Sequence, residues 1–425
     1  MVRSFLLASA LAAAVTGNAQ QSVHQVLVLN EGYFDFNTQT QVVPVTLGSY
    51  DPATGTYSTV ATITDARFGN HVAVDGGQVY VSADHRLLKY DANTLALLDE
   101  AEVTGIRRFA FWNDAIVITR GEVGGLSHYC EVRDKNTLDL LYTIPTSDLP
   151  YSCEAVEVTG DKAYIAVNNG FEWGNAVGKL GVLDLSTQAW ETSIDLGANG
   201  LNPENVMVVD GAVFTFNNKD FTGSSISKFS IGGSGVDYTN DVALSSGCGS
   251  SAKTENRIYF MEYAQNLLNT YDLTTATVAD TLAGSPATYG LIDDPINGVL
   301  YGTTTDFFSS GSLHVMDYEG TILSTVAVGV SPGKLALDVR SSMAINETSA
   351  GVLSVFPNPT EGAVTLRADA LRMGEPINIL DASGRIVLNA RASAVGMAQL
   401  DVSGLANGIY TVRSASGITT RFTKR

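Results

Sequence analysis

Glu154 and Glu204 are the carboxylates best placed to act as a pair. Each opens a short apolar run, Glu154-Ala155-Val156 and Glu204-Asn205-Val206. The runs stand one repeat apart, so a repeating β fold brings their first residues to neighbouring positions. Two carboxyl groups held roughly 5–10 Å apart are what a glycosidase or lyase needs. Equivalent runs carry Arg67 and Asn70 before His71, the pair Arg107-Arg108, Tyr151 ahead of Glu154, and Tyr289. His71 is the one of five histidines at the head of such a run, where it could act as a base or bind a ligand; His24, His85, His128 and His314 are scattered among other repeats and read as structural. No Gly-x-Ser-x-Gly elbow, His-Glu-x-x-His pair, phosphate loop or Cys-x-x-Cys occurs. No Asp-x-Asp-x-Asp loop occurs either, so a metal reading is confined to a Ca2+ held by carboxylates of a channel.

Arginine and aromatic residues carry the rest. Arg67, Arg107 and Arg108 lie in an acidic stretch, where a guanidinium either bridges Asp or Glu of adjacent repeats or faces an acceptor on a ligand. Loops hold Tyr33-Phe34-Asp35-Phe36, His128-Tyr129, Phe171-Glu172-Trp173, Asp220-Phe221, Tyr263 and Phe307-Phe308. An aromatic ring in a loop has no sheet face to pack on, and either caps the fold or meets a ligand. Arg107 and Trp173 are expected to be ligand contacts that can be replaced with little effect on stability.

The elements that position these residues are announced by a phrase repeated seven times: an apolar strand end, an Asp and a tight turn. Its copies centre on Asp51, Asp91, Asp134, Asp184, Ser230, Asp272 and Asp317, at steps of 40, 43, 50, 46, 42 and 45 residues. That is the period of a β-propeller blade of four antiparallel strands. The recurrence marks these Asp as turn formers, bonding their own backbone. Before each turn lies a hairpin such as Asn70–Ser82, closed by Asp75-Gly76-Gly77, whose first strand is small and apolar as the innermost strand around a crowded axis must be. The last repeat has only that innermost strand, Gly333–Val339, and the first has only later ones, from His24–Asn30. Six full units plus two halves predict seven blades over residues 20–340, closed by the two chain segments sharing one blade. The loops entering the innermost strands and those joining second to third strands then share one face, and this is where a ligand is expected.

Residues 1–19 carry Arg3, an apolar run from Phe5 to Val15 and small residues before Gln20, as an export signal would; no Cys stands at the cleavage point for a lipid anchor. No other apolar run is long enough to span a bilayer. Residues 20–340 hold 16 Lys+Arg against 38 Asp+Glu, which excludes nucleic acid as a partner. Three Cys exclude a disulfide framework, although Cys130 and Cys153 fall in adjacent repeats and could pair, leaving Cys248 free. Residues 341–350 read as a polar linker, and 351–425 as a β-sandwich of short strands.

That sandwich resembles the type A C-terminal sorting domain of the type IX secretion system of Bacteroidetes. The matching residues are Phe356-Pro357-Asn358-Pro359, Leu380-Asp381-Ala382-Ser383-Gly384-Arg385, Leu400–Leu405, Asn407-Gly408-Ile409-Tyr410 and the closing Lys424-Arg425. The resemblance implies export as cargo, with the secretion machinery as partner. Residues 24–340 look like YVTN-type, YncE-like surface propellers, and more closely like a Bacteroidetes branch opening with Leu-Asn-Glu-Gly, here Leu29-Asn30-Glu31-Gly32. Some members of that branch capture cobalamin, which the resemblance implies as one ligand class; no residue of this chain carries it over. Three functions stand in order: a secreted or surface binding propeller, a surface-layer or interaction scaffold, and a lactonase-like hydrolase using Glu154, Glu204, His71 or an Arg. The residues expected at the ligand are Arg67, Asn70, His71, Arg107, Arg108, Tyr151, Glu154, Trp173, Glu204, Tyr263, Tyr289 and Phe307.

Overall fold

The computed structural model describes residues 20–219, 222–245, 250–342, 353–368, 371–414 and 419–425. The export signal expected over 1–19, most of the expected linker, Asp220-Phe221 and Cys248 lie outside the described residues. The chain divides into two compact units, one spanning Gln21–Arg340 and the other containing Ser341–Arg425.

The first unit is a β-propeller. Among the described residues it contains seven four-stranded sheets. Sheet 1 runs from the axis outward as Pro332–Ser342, Gln20–Asn30, Val45–Asp51 and Thr56–Ile63, so it takes its innermost strand from the end of the unit and its second from the beginning. The other six use consecutive strands, with innermost members Gly69–Asp75, Ile106–Trp112, Cys153–Thr159, Pro203–Val209, Ser251–Lys253 and Gly290–Asp294. Adjacent innermost strands lie side by side, as Gly69–Asp75 does with Ile106–Trp112 and that strand with Cys153–Thr159.

Burial follows position within each sheet. The second strand Ala115–Arg120 is buried at every residue, because both of its faces meet a neighbouring sheet. The outermost strand Leu97–Glu102 is largely exposed and charged. Alternate residues of one strand therefore feed two cores: Val26 and Val28 pack towards sheet 7 with Tyr301, Leu313 and Val328, while Leu27 and Leu29 pack towards sheet 2 with Val72, Val79 and Val81. Similar clusters fill the remaining gaps between consecutive sheets.

The repeated Asp residues end the third strands and cap the turns to the fourth. Asp91 Oδ1 accepts the backbone N–H groups of Asn93 and Thr94 at 2.9 and 2.8 Å, and Asp134 those of Asn136 and Thr137 at 2.7 and 2.9 Å. These bonds hold both carboxyl groups below the usual carboxylate range. In the fifth sheet Ser230 donates instead to Asp237 at 2.6 Å.

The cysteine pairing stands corrected. Cys130 and Cys153 are free, buried thiols in the core between sheets 3 and 4. Burial pushes Cys130 up to about 12, so it packs as a small hydrophobe.

The second unit has a three-stranded sheet, Ser354–Phe356, Ala363–Arg367 and Met397–Asp401, and a four-stranded one ordered Ile386–Arg391, Pro376–Leu380, Gly408–Ser414, Thr419–Lys424. Val364, Leu366 and Leu400 of one sheet share a core with Ile379, Tyr410 and Phe422 of the other. The motif residues tie its ends together. Asn358, between Pro357 and Pro359, accepts from Thr423 N–H at 2.9 Å and donates to Arg421 O at 3.3 Å. Asp381 accepts from Ser383 and Arg385 N–H across a turn in which Gly384 takes φ 82°, and Tyr410, two residues after Gly408, donates to Ala406 O at 2.8 Å.

Leu29→Ala opens a cavity between sheets 1 and 2 at the point of closure. It is expected to cost about 2–5 kcal/mol and to lower the urea midpoint of residues 20–340, which are expected to unfold cooperatively without the tail. A truncated chain that aggregates under mild conditions contradicts closure before the linker.

Candidate functional site

A cavity of about 300 Å³ opens at the axis, at the ends where the innermost strands begin. Sheet 1 contributes Glu31 and Lys334, sheet 2 Phe68, Gly69 and Asn70, sheet 3 Arg107 and Arg108, sheet 4 Glu154 and Asn168, sheet 5 Glu204 and sheet 7 Tyr289. The matching stretch of sheet 6, 246–249, lies outside the described residues. A smaller chamber of about 140 Å³ adjoins it, sharing Arg107, Glu154, Asn168 and Glu204, and is walled by Phe171 and Trp173 of the loop after Val167. Below, a space of about 490 Å³ continues along the axis past His71, Phe109, Glu157 and Asn205. Arg108 lines both the funnel and this lower space and so stands at the neck.

Three cations and three carboxylates meet here, and they are not equivalent. Arg107 grips Glu154 with two bonds, Nε to Oε2 at 2.9 Å and Nη2 to Oε1 at 3.0 Å. Its third nitrogen donates to Asn70 Oδ1 at 3.2 Å, and its guanidinium lies 5.2 Å from the Phe171 ring centre. Burial would raise the Glu154 carboxyl, but Arg107, with Arg108 and Lys334, outweighs it and holds the group below its ordinary range. Glu204 has no such clamp. Burial, and then the charge of Glu154, push it up to about 7, against one hydrogen bond of 3.1 Å from Asn218. Glu31 is also raised by burial, opposed by Lys334 and by the Tyr289 hydroxyl, which lies 3.0 Å from both its oxygens. A Cβ at Gly333 would overlap Glu31 Oε1, so a glycine is required for the carboxylate to lie against the closing strand. Burial, with Arg108 and Lys334, lowers His71 well below 6.5 and keeps the imidazole neutral at pH 7; its ring packs edge-on to Phe109 at 4.8 Å.

Of the residues expected from sequence, Asn70, Arg107, Arg108, Glu154, Glu204 and Tyr289 line the funnel together. Trp173, 85% exposed, stands at the adjoining chamber, and Phe307 packs edge-on to Tyr289 at 5.0 Å. His71 lies below the neck. Arg67 is turned away into a clasp between sheets 2 and 3, its Nε 2.9 Å from Asp84 and an Nη 3.2 Å from Glu122. Tyr151 packs on the core between sheets 3 and 4, and Tyr263 is exposed away from the funnel lining. Glu31, Lys334, Phe68 and Asn168 were not singled out. Closure of sheet 1 was the available signal for the first two, since it sets Glu31 against Gly333. Among the described residues no group of three His, Cys, Asp or Glu is arranged to hold a metal ion.

Residues 354–425 match the family described as the secretion system C-terminal sorting domain. This is the tail of type IX secretion, and it marks the protein for the cell surface or the extracellular medium. No curated protein matches the chain. Among solved structures, hydrazine synthase of Kuenenia stuttgartiensis is 15% identical, with a TM-score of 0.53, over 67% of this chain and 97% of that one. BamB from Moraxella catarrhalis gives 10%, 0.47, 82% and 95%, and the dihydro-heme d1 dehydrogenase NirN 14%, 0.47, 90% and 76%. The first likeness is one of fold alone.

Two outcomes follow from the charge cluster. Contrary to the expectation from sequence, Arg107→Ala is expected to destabilise the propeller by about 3–5 kcal/mol, because it strands the Glu154 carboxylate. Arg107→Met with Glu154→Gln should recover most of that loss in urea unfolding. For Glu204 the folded carboxyl binds its proton more tightly than the unfolded one, so its contribution is present below the unfolded value of 4.5 and is lost as pH rises through about 7. Glu204→Gln is therefore expected to melt higher than the parent by a few degrees at about pH 8 and by less at about pH 5. Equal differences at the two pH values contradict the assignment.

Proposed function

We propose that the protein is an exported binding protein of seven blades, in which the funnel at the loop-bearing face holds a small ligand. Its parts are an export signal at 1–19, the propeller at 20–340, a linker at 341–350 and the sorting domain at 351–425. The observation that carries the reading is the convergence of charged side chains from separate sheets, with Phe68 and Tyr289 beside them, on one cavity of a size that small molecules fill. Phe68, Tyr289 and the adjoining Phe171 and Trp173 offer contact area, while Asn70 and Asn168 offer both donors and acceptors. The resemblance of the chain to YVTN-type surface propellers is consistent with this.

A second reading, a hydrolase, draws on one observation: Glu154 is held ionised while neighbouring Glu204 is raised to about 7, the division found between a base and an acid. Turnover of aryl lactones or glycosides that disappears in both Glu154→Gln and Glu204→Gln would favour it.

Mass spectrometry of molecules released on denaturing the mature protein from its own host tests binding directly. One species at near-stoichiometric amount is expected, reduced at least several-fold in Trp173→Ala; nothing retained favours a scaffold. For the tail, residues 341–425 fused to an exported reporter are expected to carry it to the surface or medium of a host with type IX secretion. Periplasmic retention contradicts that role.

A further inference from the structure

Arg108 differs from the other arginines of the funnel face. Arg67 and Arg107 each spend their guanidinium on carboxylates in hydrogen-bonding range. The nearest carboxylate oxygen recorded for Arg108 is Glu154 Oε1, 3.6 Å from Nε, beyond a good hydrogen bond. Both oxygens of Glu154 are already taken by Arg107. The Arg108 side chain is only 13% exposed, and its buried Nε has no hydrogen-bond partner. A buried charged donor left unmatched is costly, so little holds the Arg108 guanidinium against turning towards an acceptor that enters the funnel.

We propose that Arg108 receives the carboxylate end of an organic acid that enters the funnel, with the apolar body of the acid lying in the adjoining chamber against Phe171 and Trp173. This rests on the reading of the funnel as a ligand site and names the class of ligand it takes. The guanidinium fork matches two oxygens of one planar group. Lys334, from the closing strand, lines the same cavity and adds a second positive charge. Against these two and Arg107, only Glu154 is held firmly ionised, while Glu31 and Glu204 are pushed towards their protonated forms. Three cations against one firmly ionised carboxylate leave the set positive, so an entering carboxylate meets a net attraction. Proton uptake belongs to the same event. Glu204 faces Glu154, Arg108, Lys334 and Asn218, and an anion arriving on Arg108 makes its ionised form less favourable still.

Saturation-transfer NMR on the mature protein with benzoate and benzamide tests the assignment. At about pH 6 benzoate is expected to bind about tenfold more tightly than benzamide, the effect of one charged hydrogen-bonded pair. The benzoate preference should weaken towards about pH 8, disappear in Arg108→Gln and survive in part in Arg108→Lys. A purely structural arginine would alter the melting temperature and leave the acid-to-amide ratio unchanged. Should Arg108→Gln fail to fold, the ratio and its pH dependence in the parent protein still decide. Benzamide binding as well as benzoate, or a retained natural molecule that is neutral or cationic, overturns the carboxylate assignment but leaves ligand binding intact. No probe bound and no molecule retained overturns both.

Discussion

Everything in the propeller depends on the pairing of Gln20–Asn30 with Pro332–Ser342. Bringing together segments some 300 residues apart costs about 5 kcal/mol of loop entropy by the logarithmic rule, and the joint must offset it. It does so with two apolar interfaces at once, Val26 and Val28 towards sheet 7 and Leu27 and Leu29 towards sheet 2. Polar groups fix the register. Gln25 donates to Asp338 at 2.9 Å and to Ala92 O at 2.8 Å, and the N–H groups of Glu31 and Gly32 reach Ser331 O and Val330 O at 2.8 and 3.0 Å. With this joint sheet 1 has four strands like the other six sheets.

The same joint completes the funnel. Glu31 follows the first strand and Lys334 lies in the last, so neither reaches the axis until the ring closes. Closure therefore couples folding to the assembly of the charge cluster. Within the cluster, division of labour follows from hydrogen-bond saturation. Arg107 and Glu154 complete each other and lock sheets 3 and 4. Arg108, one residue on, faces the neck with capacity to spare. Two adjacent arginines thus serve structure and recognition separately, in a stretch where the strand register shifts between Ile106 and Phe109 and both side chains reach the same cavity.

The fold was legible because its signals are local and repeated. An Asp at the end of the third strand, replaced by Ser230 in sheet 5 alone, and a small apolar innermost strand recur whatever the rest of the blade does, and the Pro-Asn-Pro and Asp-x-Ser-Gly phrases mark the tail in the same way. The site was legible in part, since Arg107, Arg108, Glu154, Glu204 and Tyr289 all sit at entries to innermost strands. What remained hidden depends on pairing across the ring. Arg67 occupies the equivalent entry of sheet 2, yet Asp84 and Glu122 draw it aside, and only three-dimensional distances tell it from Arg108. Glu31 was read as part of an opening motif, and its place beside Tyr289, 258 residues away, rests on the absence of a side chain at Gly333.

The central claim is that a cluster assembled by ring closure presents Arg108 to an anion at the axis. The most direct measurement is a crystal structure of the mature propeller soaked with 4-bromobenzoate, located by the anomalous signal of bromine. The carboxylate is expected within hydrogen-bond distance of Arg108, about 2.7–3.2 Å, with bromine towards Phe171 and Trp173. A bromine site on the opposite face, or an empty funnel beside an occupied site elsewhere, would contradict the account.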